Sequence, residues 1–241
     1  MHGLIMVELK NYVTKKFNSE TWDTLLKNAK LWPRLYVPVG EYPDTEVVSL
    51  VTTASEMTGI APDGILEDFG EFITSGLLRI YRPLVKKEWR TLDLIENTEQ
   101  SIHTAVRLKN KGAKPPELRC TRISPSEVVV SYSSPRKLCA VAKGIAKGVA
   151  KYYGENITIS EPSCMHRGST SCEISIRSNA VREQRPAYQP PVAQPEPAAE
   201  PMMAHAREHH PVSRHEPPVR AQVFERPKKK RSWWARLFGL K

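Results

Sequence analysis

The first half of the chain carries apolar residues at intervals of three and four positions, a pattern typical of helices with one buried face. This spacing predicts helices over 4–13, 20–30, 45–57, 64–75 and 91–108. We expect Asp63, just before the fourth segment, to cap it, because a carboxylate accepts hydrogen bonds from the free amides of a helix start. The N-terminal half is therefore predicted to be helical.

The pattern changes in the second half, where short β-branched segments appear. Residues 118–123 and 127–133 are joined by Ser-Pro-Ser, which predicts a hairpin. Helical spacing returns over 136–153, and further strands are expected at 156–160 and 171–177. The predicted fold class is α+β: a helical N-terminal half followed by a small antiparallel sheet with one helix, in the order β-β-α-β-β.

Composition changes again near residue 179 and divides the chain into three parts. Residues 1–178 are long enough to form one domain with its own core. Residues 179–225 are rich in Pro, Ala and Glu with few large apolar side chains, so we expect a disordered linker. Residues 226–241 hold seven basic and no acidic residues, and the tail beyond residue 179 carries most of the net charge of +10.

The last segment also concentrates aromatic side chains. On a helix, its large apolar residues would share one face beside the basic ones; these are Trp233, Trp234, Leu237 and Phe238. Such a face is typical of binding to an anionic membrane surface, and we expect a peripheral anchor to the inner leaflet. A nucleic-acid-binding patch, a peptide that docks on a partner and a solvated terminus are the alternatives; we expect no nucleic acid.

Several classes of protein are excluded by the sequence. No apolar run reaches the roughly 18 residues of a membrane-spanning helix, and Glu8 interrupts the N-terminal run too early for a secretory signal. Four cysteines without an export signal indicate a reducing compartment, so we expect a cytoplasmic protein. No paired carboxylates or nucleophile–base motif is found, and we expect no enzymatic activity.

Two sets of residues are candidates for binding chemistry. Tyr132, Ser134 and Arg136 alternate along an extended segment, so their side chains can converge on one face and bind carboxylates. An edge strand running into a solvated arginine is the alternative interpretation. His103 lies at the edge of an apolar helix face, where it is either a ligand of a metal centre or a buried boundary residue.

Taken in order, four motifs make residues 1–177 resemble the haem nitric-oxide/oxygen binding (H-NOX) domain. The motifs are Met1-x-Gly3, the histidine of SIHTAVRL at position 103, Pro115–Pro116 followed by Leu-Arg-Cys, and Tyr132-x-Ser134-x-Arg136. The resemblance implies that His103 is the proximal ligand of ferrous haem b. It also implies that the Tyr-x-Ser-x-Arg residues hold the haem propionates.

The resemblance further implies how the pocket selects its gas. Pro116 would press on the porphyrin, while Ile5 and Ile145 would pack on the distal side. Oxygen-binding members carry a tyrosine where this chain has Val141, so the resemblance implies a sensor of nitric oxide. Binding of nitric oxide would lengthen or break the bond to His103 and shift its helix. A separate effector, such as a histidine kinase or a cyclic-di-GMP enzyme, would respond.

The cysteines are candidates for a zinc site. Three of them can supply thiolates from the second half of the chain: Cys139, Cys164 and Cys172. The fourth donor is His166 or Glu161, and some bacterial H-NOX proteins resemble this arrangement with three cysteines and one histidine. Buried, reduced thiols are the alternative, and a zinc/thiol redox sensor is the alternative function. Cys120 is expected in the core.

Overall fold

The computed structural model describes residues 1–109 and 112–179, and it confirms the α+β fold. The helices are α1 Gly3–Lys16, α2 Ser19–Asn28, α3 Asp44–Thr58, α4 Pro62–Tyr81, α5 Thr91–Thr98, α6 Thr104–Lys109 and α7 Cys139–Tyr153. The strands are β1 Glu117–Ser124, β2 Glu127–Ser133, β3 Ile157–Ser163 and β4 Cys172–Ser178. None of the helices described is long and apolar enough to cross a membrane.

The four strands form one antiparallel sheet in the order β1-β2-β4-β3. Its central strands pair so that Val128 faces Ile176, Val130 faces Ile174 and Tyr132 faces Cys172. All six side chains are buried on one face of the sheet. Helices α5 and α7 cover that face, as the apolar alternation along both strands requires.

Helices α4 and α7 pack unusually close together because glycines lie at their contact. An added Cβ on Gly144 would lie 1.9 Å from the carbonyl oxygen of Glu67, and one on Gly70 would lie 2.3 Å from that of Val141. A Cβ on Gly148 would meet the side chain of Thr74 at 2.4 Å. The two backbones therefore touch directly, without intervening side chains.

Helix starts and interruptions differ from the predictions at three places. The cap predicted at Asp63 is wrong: Ala61 occupies the N-cap position without a side-chain bond, and Pro62, whose fixed φ suits a first turn, begins the helix. Helix α7 begins at Cys139, since Lys137 has a φ of 51°, outside the helical region. The helix predicted over 91–108 contains a π turn, Glu99–His103.

The tail lies outside the described residues. The linker predicted at 179–225 and the segment at 226–241, with Trp233, Trp234, Leu237 and Phe238, fall beyond the described part except for Asn179. Disorder of the linker and membrane binding by the terminal segment therefore stay predictions from sequence.

Candidate functional site

A cavity of about 840 Å³ lies between several helices and the end of β2. The residues predicted to contact a cofactor all line it: Ile5, His103, Pro116, Tyr132, Ser134, Arg136, Val141 and Ile145. Its size falls within the range of roughly 300–1,000 Å³ typical of ligand pockets. Helices α1, α4, α6 and α7 and the π turn contribute its walls, which are mainly apolar.

His103 ends the π turn and contributes an imidazole to the cavity wall. Its Nδ1 lies 2.9 Å from Oε2 of Glu99, one turn earlier. Burial lowers the pKa of His103, although the Glu99 carboxylate and a hydrogen bond with the Pro116 carbonyl oppose this shift. The net effect favours a neutral ring that donates from Nδ1 to Glu99, which leaves Nε2 with a lone pair for a metal.

The Tyr-x-Ser-x-Arg residues supply the polar part of the lining. Tyr132 is buried, and burial raises its pKa to about 12, so its phenol keeps its proton and can donate. Nε of Arg136 donates to Oδ1 of Asp44 at 2.8 Å, and its Nη1 donates to the carbonyl of Lys114 at 2.6 Å. A phenol, a hydroxyl and a guanidinium at one cavity are a donor set suited to the two carboxylates of haem.

The charge of Arg136 is already shared with a carboxylate. Burial raises the pKa of Asp44, but hydrogen bonds and charges from the N-terminal amine and Arg136 outweigh it and lower the pKa overall. Asp44 is therefore ionised at neutral pH. It lines the cavity beside Arg136 and holds the guanidinium in place for an anionic ligand.

Helix α7 presents only apolar side chains to the cavity. They are Val141, Ala142, Ile145 and Val149, and the apolar Leu138 lines the cavity just before the helix begins. Thr74 on the neighbouring helix already donates its hydroxyl to the carbonyl of Gly70 at 2.9 Å. Sequence reasoning missed Tyr81 of α4, which also lines the cavity. Its position at the end of a long amphipathic helix gave no signal that distinguishes it from a core tyrosine.

A second cluster of reactive groups lies between the start of α7 and the β3–β4 turn. Its ligand atoms lie within 4.8 Å of one another and come from Cys139, Glu161, Cys164 and Cys172. Sγ of Cys164 lies 3.7 Å from that of Cys139 and 3.5 Å from that of Cys172, too far for a disulfide. Oε1 of Glu161 is buried without a hydrogen-bond partner, while Oε2 accepts from Lys143 at 3.2 Å.

The predicted donor His166 lies outside this cluster. It is exposed, and its Nε2 is 2.7 Å from the carbonyl oxygen of Lys137. The structure therefore brings Glu161, not His166, to the three thiols. Burial raises the pKa of Cys139, as it does that of Cys172, so without a cation both remain thiols. Cys120 lies outside this cluster. It is half-buried, and its thiol donates to the Ile95 carbonyl at 3.5 Å, which is consistent with a packing role.

Comparison with known proteins defines the class of protein. The Haem-NO-binding family model matches residues 2–161, and the chain therefore belongs to this family of haem-based gas sensors, the H-NOX proteins. Comparison with curated proteins gave no match.

Solved H-NOX structures share the fold. The S. oneidensis protein in its Fe(II)NO ligation state is 26% identical, with a TM-score of 0.70, and the match covers 75% of this chain and 100% of that one. The unliganded Fe(II) protein from K. algicida is 22% identical with a TM-score of 0.68, covering 75% and 97%. A T. tengcongensis H-NOX mutant is 21% identical with a TM-score of 0.65, covering 75% and 98%. These last two likenesses support the fold alone.

Proposed function

We propose that the cavity holds haem b with His103 as the proximal ligand and that the protein senses nitric oxide. The observation that carries the proposal is the convergence of all eight predicted contact residues on one cavity of suitable size. His103 has the required chemistry, since Nδ1 is engaged by Glu99 and Nε2 is left for iron. The chain has no Cys-x-x-Cys-His motif, which favours haem held without covalent bonds.

The lining of α7 supports nitric oxide as the gas. Haem supplies an iron atom with a free coordination position for a diatomic ligand. Bound oxygen needs a hydrogen-bond donor beside it to be held stably, because charge accumulates on its outer atom. Val141 and Ile145 offer none from α7. Nitric oxide bonds strongly to ferrous iron without such help, and the S. oneidensis relative was solved with this ligand.

The wall that carries His103 is suited to transmit a signal. No residue of the π turn or of α6 is fully buried, whereas α4 and α7 carry many buried residues. Loss of the bond between His103 and iron would allow residues 99–109 to shift at a smaller cost than α4 or α7, since only the partly buried Ile102 of the π turn packs against a core cluster. A separate effector, for example a histidine kinase or a cyclic-di-GMP enzyme, would recognise the altered surface.

His103→Gly tests the proposal. We expect the purified full chain to show a ferrous Soret band that weakens or shifts strongly in the variant, because the iron loses its protein ligand. Added imidazole should restore the wild-type spectrum by filling the vacated space. His166→Gly is the control, since that ring is exposed and bonds only a backbone carbonyl. An unchanged ferrous spectrum in His103→Gly would contradict the proposal.

The cysteine cluster supports a second candidate function, a zinc/thiol redox sensor. Three buried sulfur atoms and a carboxylate oxygen, all within 4.8 Å, form a tetrahedral donor set of the kind that binds structural zinc. The unpartnered Oε1 of Glu161 is a ready fourth ligand. Zinc would keep the thiols deprotonated, and oxidation of a thiolate would release the metal.

Metal analysis of Cys172→Ala tests the zinc site. We expect one zinc per chain in the wild type and a loss of most of it in the variant, because three donors bind a structural ion much more weakly than four. Cys120→Ala should retain its zinc, since that thiol lies outside the cluster. Equal zinc contents in the Cys172→Ala and wild-type proteins would rule out this candidate and leave the haem proposal untouched.

A further inference from the structure

The π turn places a carboxylate behind the ring of His103. Glu99 is the first residue of the turn and His103 the last, so the two side chains lie on the same side of the helix. Oε2 of Glu99 accepts from Nδ1 of His103 at 2.9 Å. π turns are rare and concentrate at functional sites, so the position of Glu99 and His103 at the two ends of one indicates that their contact has a functional role.

Two further groups fix the position of the Glu99 carboxylate. Its Oε2 also accepts from the backbone amide of Leu118 at 3.2 Å, while Oε1 accepts from the guanidinium of Arg107. The carboxylate is thus oriented toward a single ring nitrogen of His103.

A carboxylate in this position changes how an imidazole binds a metal. Accepting the Nδ1 proton fixes the tautomer, keeps the lone pair on Nε2 and raises its basicity, which is the usual role of an outer partner of a metal-bound histidine. The carbonyl of Pro116 also bonds the ring, but a neutral carbonyl draws the proton less strongly than a carboxylate does. The strength of the bond from His103 to iron should therefore depend mainly on Glu99.

We propose that Glu99 is a positioning residue that strengthens the bond between His103 and haem iron and so sets how readily nitric oxide breaks it. The inference rests on the proposed function, because it requires His103 to be the proximal ligand. Arg107 moderates the effect, since its charge withdraws electron density from the same carboxylate. The pair of side chains would hold the iron–histidine bond at an intermediate strength.

Resonance Raman spectroscopy of the ferrous, haem-loaded full chain tests this inference. In Glu99→Gln we expect the iron–histidine stretching band to move to lower frequency, because a neutral amide withdraws the Nδ1 proton less. In Arg107→Gln the band should move to higher frequency, because the freed carboxylate acts more fully on the ring. With nitric oxide added, Glu99→Gln should raise the ratio of five- to six-coordinate absorption by roughly tenfold or more.

Glu96→Gln is the matched control. Glu96 lies one turn before Glu99 on the same helical segment, but its carboxylate binds Arg122 at 2.6 Å and does not touch His103. Its stretching band should equal that of the wild type. Bands at the same frequency in wild type, Glu99→Gln and Arg107→Gln would overturn the inference. The Pro116 carbonyl would then be the group that orients the His103 ring. A band that survives in His103→Gly would instead overturn the proposed function.

Discussion

Replacing Gly144 by alanine should lower the free energy of unfolding by at least about 2 kcal/mol, the cost of forcing atoms into a packed interior. The new Cβ would lie 1.9 Å from the carbonyl oxygen of Glu67 and 2.9 Å from the amide nitrogen of Glu71. Both neighbours are backbone atoms of α4, so no side chain can move aside. The two helices must separate instead, and the packing around them is lost.

Gly76→Ala provides the matched control in the same helix, α4. There an added Cβ has only Oε2 of Glu8 near it, at 3.9 Å. Alanine should stabilise this position by about 0.5–1 kcal/mol because it restricts the unfolded chain and favours the helix. Thermal unfolding measures both effects: Gly144→Ala should lower the melting temperature by about 4–8 °C. Equal melting temperatures for the two variants would contradict the close contact of α4 and α7.

Replacing Arg136 by leucine should weaken haem retention by roughly 30-fold or more. Truncating one partner of a hydrogen-bonded charge pair costs about 2–5 kcal/mol, and each 1.4 kcal/mol is about tenfold in affinity. If the cavity holds haem, the loss would leave its carboxylates without this cation and leave the Asp44 carboxylate unneutralised by Arg136. The rate of haem transfer to a haem-free acceptor protein measures the effect. Arg136→Lys should recover only part of it, because lysine cannot form paired hydrogen bonds.

Arg122→Leu separates this effect from a general loss of stability. Arg122 also binds carboxylates, Asp93 and Glu96, at 2.8 and 2.6 Å, but it lies on β1 and does not line the cavity. Haem transfer from Arg122→Leu should match the wild-type rate. Similar rates for Arg136→Leu and Arg122→Leu would show that the Tyr-x-Ser-x-Arg strand does not hold the haem.

The elements of the fold were predictable because each depends on local periodicity. Alternation along 127–133 led to a strand with one buried face, and the structure gives β2 over Glu127–Ser133. The start of α7 was misplaced because the left-handed φ of Lys137 leaves no trace in the apolar pattern. Hydrophobic periodicity reveals helices and strands that are several turns or residues long. It does not reveal a boundary that is set by a single backbone angle.

Within the candidate site, only the residues that belong to the family motifs were predictable from the sequence. Glu99 lies one turn before His103, so the spacing was present in the sequence, but glutamates on exposed helix faces are common and only the contact identifies this one. The choice between His166 and Glu161 depended on the geometry of β3 and of the turn that follows it. His166 lies in the turn and contacts the Lys137 carbonyl, whereas Glu161 lies on β3 at a register shift and joins the thiols, and spacing along the chain cannot reveal either placement.

The glycine contact between α4 and α7 gives the cavity walls of unequal stiffness. On one side, backbones in direct contact cannot approach further, and they separate only at the expense of the main core. On the other side, residues 99–109 contribute no fully buried side chain. If a ligand in the cavity exerted a strain, we would expect the His103 side to yield first, so that one defined surface of the molecule would be displaced.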